Sequence, residues 1–252
     1  MLTNYQTDTQ NLLQKPGASN SLYPTASITR WINIARGQIA GESESIWYSG
    51  TISTVIGQRE YNFSGINTGV SATNGIQGVI HVRSIRYGVG SGQRWITPRP
   101  TEWFDLYGLN NPVPVNGPPS MWAQYGQGSA GSGTGSGATG TFQLDPPPDA
   151  VYTLTCSCIC YPIALVDDTT VEALPYLWTD AVPFFAAYYA LLSAQSGARQ
   201  AEAARMFEMY TQFGERARKF SNPDPLRWQY RQATDVPQAA KMGIRQSAGG
   251  GG

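Results

Sequence analysis

The sequence predicts an α+β chain: a four-helix-type bundle formed by helices from both ends, an antiparallel β-sandwich or barrel domain inserted between them, and an extended C-terminal arm. Three observations carry this. Apolar residues recur at three- and four-residue steps near both ends, they alternate at a period of two through the middle, and the last segment keeps neither period. The expected boundaries are helices in 1–45, a β domain in 46–165, helices in 166–220 and the arm in 221–252.

The first element, "NYQTDTQNLLQ", is a short helix stopped by Pro16-Gly17. A second starts at "YPTASITRWINIARGQIAGE", where Pro24 suits a first turn and Thr25 or Ser27 an N-cap. Ile28, Trp31, Ile32, Ala35 and Ile39 form its apolar seam, and it should end near Gly41. From Trp47, "WYSGTISTVIGQREYNF" reads as two strands around a Gly57-Gln58 turn. "GVIHVRSIRYGV" and "QRWITPR" read as a second pair joined by Gly90-Ser91-Gly92. "TEWFDLYGL" can make a helical turn, and "NNPVPVNGPPS" has too many prolines for anything but an irregular or edge segment. "MWAQYGQ", "TFQLD" and "TLTCSCICYP" complete seven or eight strands, with a flexible Gly/Ser loop at 126–140. "YLWTDAVPFFAAYYALLSAQ" is apolar on most faces, so it should be a buried helix, kinked at Pro183 or starting near Thr179–Asp180. After Gly197, "ARQAEAARMFEMYTQFGERARKF" is amphipathic, with Met206, Tyr210 and Phe213 on one side.

Composition narrows the function. Of the 252 residues 41% are hydrophobic and only 13% charged, against roughly 25% in an ordinary soluble domain. Seventeen basic and seventeen acidic groups cancel. Such a surface defends poorly against association, so partners should cover much of it. Residues 1–198 hold 8 basic and 12 acidic groups, whereas 199–252 hold 9 and 5, so the C-terminal part is basic. No run interleaves basic and aromatic residues densely enough for specific nucleic-acid binding. The N-terminus lacks a basic region followed by an apolar block, so no signal peptide is expected. The longest apolar run, Ala181 to Leu192, falls short of the ~20 residues of a membrane span.

Candidate chemistry is sparse. On a strand, Cys156, Cys158 and Cys160 share one face ~6–7 Å apart, too far for the ~3.8 Å Cβ separation of a disulfide. A closed zinc site needs four ligands, and His81 is the only histidine. The cysteines therefore read as small core hydrophobes, and neither metal nor cofactor is expected. His81 shares a strand face with Arg83 and reads as a solvated histidine. Glu42 with Glu44, or Asp167 with Asp168, are the carboxylate pairs that a glycoside hydrolase would need, a pattern that chance readily supplies. Trp228 and Tyr230 beside Arg227 and Arg231 are more telling. These residue types dominate interface hot spots, and "LRWQYRQ" has no core of its own.

Three stretches carry a resemblance to a known family: "LTNYQTDTQNLLQKPGASNSLYPTASITRWINIARGQIAGE", "REYNFSGINTGVSATNGIQGVIHVRSIRYGVGSGQRWITPRPTEWFDLYGLNNPVP" and "CYPIALVDDTTVEALPYLWTDAVPFFAAYYALLSAQ". From Leu2 to about Asn222 the chain resembles head-to-tail adaptor (connector) proteins of tailed bacteriophages. The resemblance implies a structural virion protein rather than an enzyme. It implies a homo-oligomeric ring, commonly of twelve copies, assembled in the host cytoplasm and docked beneath the portal protein. That ring would seal the exit channel, offer a surface to the tail or nozzle protein, and let viral double-stranded DNA pass without sequence-specific contacts; no membrane is involved. Arg227, Trp228, Tyr230 and Arg231 are then the expected portal contacts. The competing readings are a cell-wall hydrolase using Glu42 and Glu44, and a β-rich carbohydrate-binding module of a tail fibre.

Overall fold

The second helix shows how local sequence sets the architecture. The computed structural model describes residues 1–14, 22–68, 75–88, 92–110, 115–126, 140–193 and 197–221. It opens with α1 (Leu2–Leu12) and α2 (Thr25–Ser43). Pro24, at φ −58° and ψ 143°, is itself the N-cap of α2, and its carbonyl accepts the Ile28 N–H at 3.1 Å. Thr25 and Ser27, the expected caps, already lie inside the helix, because the proline ring supplies the entry torsion. The helix passes Gly41 and ends where Glu44 turns left-handed at φ 50°. Along the seam Ile28, Ile32, Ala35 and Ile39 are buried, while Trp31 sits at its edge against Tyr23.

Seven strands follow: β1 (Trp47–Ser53), β2 (Glu60–Asn62), β3 (Ile76–Tyr87), β4 (Arg94–Pro98), β5 (Met121–Tyr125), β6 (Thr141–Asp145) and β7 (Thr153–Pro162). Helix α3 (Thr101–Asn110) lies between β4 and β5. The sheet order is β1-β7-β3-β4-β5-β6-β2. β3 and β4 form the expected antiparallel pair, with Ile85 opposite Ile96.

Two pairings differ from the sequence reading. β1 and β2 do not form a hairpin: β1 pairs with β7 and β2 with β6. The intervening turn is held open because Gly57 N–H donates to Pro148 O, and the Tyr61 hydroxyl bonds Val55 and Gln58. β4 and β5 are parallel, since α3 and the crossing after it return the chain to the same end of the sheet. The two edges then approach each other. Thr51 of β1 and Asn67, just past β2 and a 3₁₀ turn at Phe63–Gly65, exchange backbone hydrogen bonds of 3.0 and 2.7 Å. The sheet is therefore curled, with its edge hydrogen-bonding groups partly used up.

Leu154, Cys156, Cys158 and Cys160 alternate onto the inner face of β7 and are fully buried. The C-terminal region contains α4 (Tyr176–Thr179), α5 (Val182–Ser193) and α6 (Gly197–Ser221). Of the two expectations for this segment, a kink at Pro183 or a start near Thr179–Asp180, the second is the closer: α4 ends at Thr179 and α5 begins at Val182. Pro183 lacks an N–H and its ring would meet the carbonyl four residues back, so it sits in the first turn of α5 instead. Ala186, Ala187 and Ala190 let α5 lie close against its neighbours α1, α2 and α6. One continuous cluster of buried side chains runs from these helices into the sheet. The Gly/Ser loop is described only at its two ends.

Candidate functional site

A buried, fully hydrogen-bonded polar node joins α2 to the segment that leaves the sheet. Arg36 occupies the step after Ile32 on the α2 seam, a position that burial would normally reserve for an apolar residue. Its side chain is 1% exposed and forms a two-point ion pair with Glu172, at 2.7 Å from Nη2 to Oε1 and 2.9 Å from Nε to Oε2. Nη1 donates to Ile163 O at 2.6 Å and to Asn33 Oδ1 at 3.2 Å. Asn33 also clasps the Leu165 backbone, accepting its N–H at 2.8 Å and donating to its carbonyl at 3.1 Å. Tyr5 of α1 donates to Glu172 Oε2, and burial, followed by that carboxylate, pushes its phenol well above the ordinary range. Leu174 N–H completes the shell around Glu172. With every oxygen and nitrogen engaged, this node positions α1 and α2 on the strand exit and leaves no group free for chemistry.

The other candidates resolve in the same direction. All three cysteines are free and buried; desolvation pushes Cys156 and Cys160 to about 12 and Cys158 higher still, so none is a ready thiolate. Among the described residues no three His, Cys, Asp or Glu gather as metal ligands, and no helix is long and apolar enough to cross a membrane. Glu42 and Glu44 face different elements. Glu42 accepts from Tyr210 of α6 and from Gln38, whereas Glu44 accepts from Arg83 on β3. Asp167 is spent on Thr169 and Thr170, and Asp168 on Thr3 and the Met1 amine, contacts that hold both carboxyls below their usual range.

His81 departs from expectation. It is half-buried rather than solvated, with Nε2 3.5 Å from Glu44 Oε1, and it pairs across the strands with Ile159 of β7, which in turn pairs with Trp47. Burial lowers its pKa, Glu44 opposes that shift, and Arg83 adds to it. A histidine whose folded pKa lies below the unfolded value stabilises the fold above the unfolded pKa, and that contribution fades as pH falls through the folded one. Urea melts at pH 7.5 and pH 5 should therefore show a larger acid-side loss for the native chain than for His81→Gln.

What composition alone did not reveal is a set of arginine–tryptophan pairs on the outer β surface. Arg83 lies 4.5 Å from the Trp47 ring centre and Arg86 5.6 Å from that of Trp95. Trp47 and Trp95 remain 58% and 64% exposed. Their period-two positions opposite buried neighbours such as Ile96 were the available signal. Cation–π contacts of this kind hold large apolar rings in water at a contribution of about 0.5–1 kcal/mol each. Arrangements of this type suit contact with other macromolecules rather than catalysis.

Arg227, Trp228, Tyr230 and Arg231, the expected portal contacts, lie outside the described residues. No curated protein matches the chain. The family model described as SU10 adaptor protein matches residues 3–237, which includes both helical regions, the whole sheet and part of the chain beyond α6. A match over nearly the full length assigns the chain: it belongs to the SU10 adaptor protein family of phage structural proteins.

Proposed function

We propose that this phage adaptor forms a ring that docks beneath the portal of the filled head, closes the DNA exit and presents the attachment surface for the tail or nozzle. The observation that carries the reading is the extent of the family match, which continues past the last helix through Arg227, Trp228, Tyr230 and Arg231 to residue 237. Sparse charge, exposed arginine–tryptophan pairs and the fully engaged polar node support a protein whose work is contact. In a head-to-tail ring each copy buries two different faces, which suits a surface with so few charges. Ring copy number, taken as about twelve, follows from the resemblance, as does location in the virion. DNA in the channel would meet the ring through non-specific contacts alone, since a conduit must let the polymer slide.

The arm supplies the portal contacts in this proposal. Replacing Arg227, Trp228, Tyr230 and Arg231 together by alanine, or deleting residues 221–252, should weaken binding to isolated portal by roughly 30-fold or more, the loss of a single strong hot spot. Circular dichroism should show the helices and sheet unchanged. Undiminished docking by either variant dismisses the assignment.

A further inference from the structure

A hollow between α1, α4, α5 and α6 has no part in the reading above. It is a groove of about 600 Å³ lined by Leu12, Tyr176, Phe184 and Phe213, with Asp8 and Asp180 beside them. Phe184 and Phe213 stack with ring centres 5.0 Å apart, and Tyr176 is 79% exposed. Neither Asp8 nor Asp180 forms an ion pair with any described residue. Past Tyr176, Asp180 and Phe213 the groove runs into a second hollow of about 300 Å³ that reaches Arg216 and Ala217 of α6. Aromatic walls with two carboxylates call for an aromatic, cationic occupant.

We propose that in the free subunit this groove holds residues 224–231 of the chain's own arm. The order of charges matches. Beyond Ser221 the sequence reads "NPDPLRWQYR", so Asp224 comes first, next to the end of the groove that holds Arg216. Arg227 and Arg231 follow, bracketing Trp228 and Tyr230, toward Asp180 where the two hollows meet and Asp8 beyond it. Pro223 and Pro225 cannot continue α6 and suit a reversal of direction at its end. The reach is sufficient. Returning from Ser221 to the level of Phe213 takes about 12 Å along the helix, and the seven residues from Asn222 to Trp228 extend to about 23 Å. A tether this short gives the arm of the same chain an effective concentration in the millimolar range, which no second copy matches in dilute solution.

The contact itself does not depend on the portal. Under the portal reading, on which this consequence alone rests, docking withdraws the arm from the groove and leaves the groove open only in the assembled state.

Paired cysteines test the placement in the full-length chain without portal. Asn4 and Asn11 are exposed lining residues of the groove, and Gln229 lies between Trp228 and Tyr230. Asn4→Cys with Gln229→Cys, and independently Asn11→Cys with Gln229→Cys, are oxidised mildly at low micromolar concentration beside a control, Gln58→Cys with Gln229→Cys, placed in the turn between β1 and β2. The native thiols are buried and do not compete. At least one groove pair should close an intrachain disulfide roughly tenfold or more faster than the control. Adding Asp8→Asn and Asp180→Asn should slow that closure several-fold. Rates equal to the control in both pairs, or a mainly interchain product, overturn the proposal. Because no portal is present, this result and the portal-binding result fail separately.

Discussion

Replacing Arg36 by alanine should cost about 3–5 kcal/mol of stability, the usual consequence of stranding one half of a buried ion pair. Glu172 would keep only the Tyr5 hydroxyl and the Leu174 N–H, while the Ile163 carbonyl would lose its donor. For a chain of this size that corresponds to a fall in Tm of roughly 10 °C in a thermal melt followed by circular dichroism. Glu172→Gln should cost less, since the amide oxygen still accepts from the guanidinium. A double replacement, Arg36→Met with Glu172→Met, should lose clearly less than the sum of Arg36→Met and Glu172→Met alone, because the charges depart together. A fall of under 1 kcal/mol for Arg36→Ala would mean that the node does not hold the helices on the sheet.

Gly50→Val is expected to be nearly as damaging, for a steric reason. A Cβ at this position in β1 would collide with Ile66 Cγ2 and lie 3.0 Å from Thr68 Cγ2 and 3.3 Å from the Asn67 carbonyl. Ile66 and Thr68 are both buried and cannot swing aside, and Asn67 is the residue that bridges to Thr51 to curl the sheet. Overpacking of this kind costs about 1–3 kcal/mol, and the branched side chain should place valine at the upper end. Gly50→Ala should be milder. Combining it with Ile66→Leu, which removes the Cγ2 methyl, should recover part of the loss. Full tolerance of Gly50→Val in a denaturant melt would show that the strand does not close against the 66–68 segment.

These two sites mark where the sequence was and was not readable. The seam Ile28, Ile32, Ala35 and Ile39 repeats every three or four residues, so its helix and its buried face are written locally. The cysteine ladder was equally plain, because alternation on a strand places every second side chain on one face. Pairing was not. β1 lies next to β2 in sequence and to β7 in space, and nothing in "WYSGTIS" specifies a partner about a hundred residues away. The parallel β4–β5 pair depends on what α3 and the crossing after it do together, which no single window contains. Arg36 and Glu172 are 136 residues apart, so their union appears only after folding. An arginine inside an apolar seam was nonetheless a visible signal that a buried carboxylate must exist somewhere. Of the proposed interface, the composition of residues 227–231 was legible, whereas the arginine–tryptophan pairs needed the strand register to bring them together.

In the proposed function this adaptor works by assembling on a portal. Negative-stain images of the purified chain mixed with isolated portal rings test it most directly. Portal particles should carry an added coaxial ring of adaptor subunits on one face. Portals that stay bare at saturating adaptor, with the chain remaining as separate subunits, would contradict it.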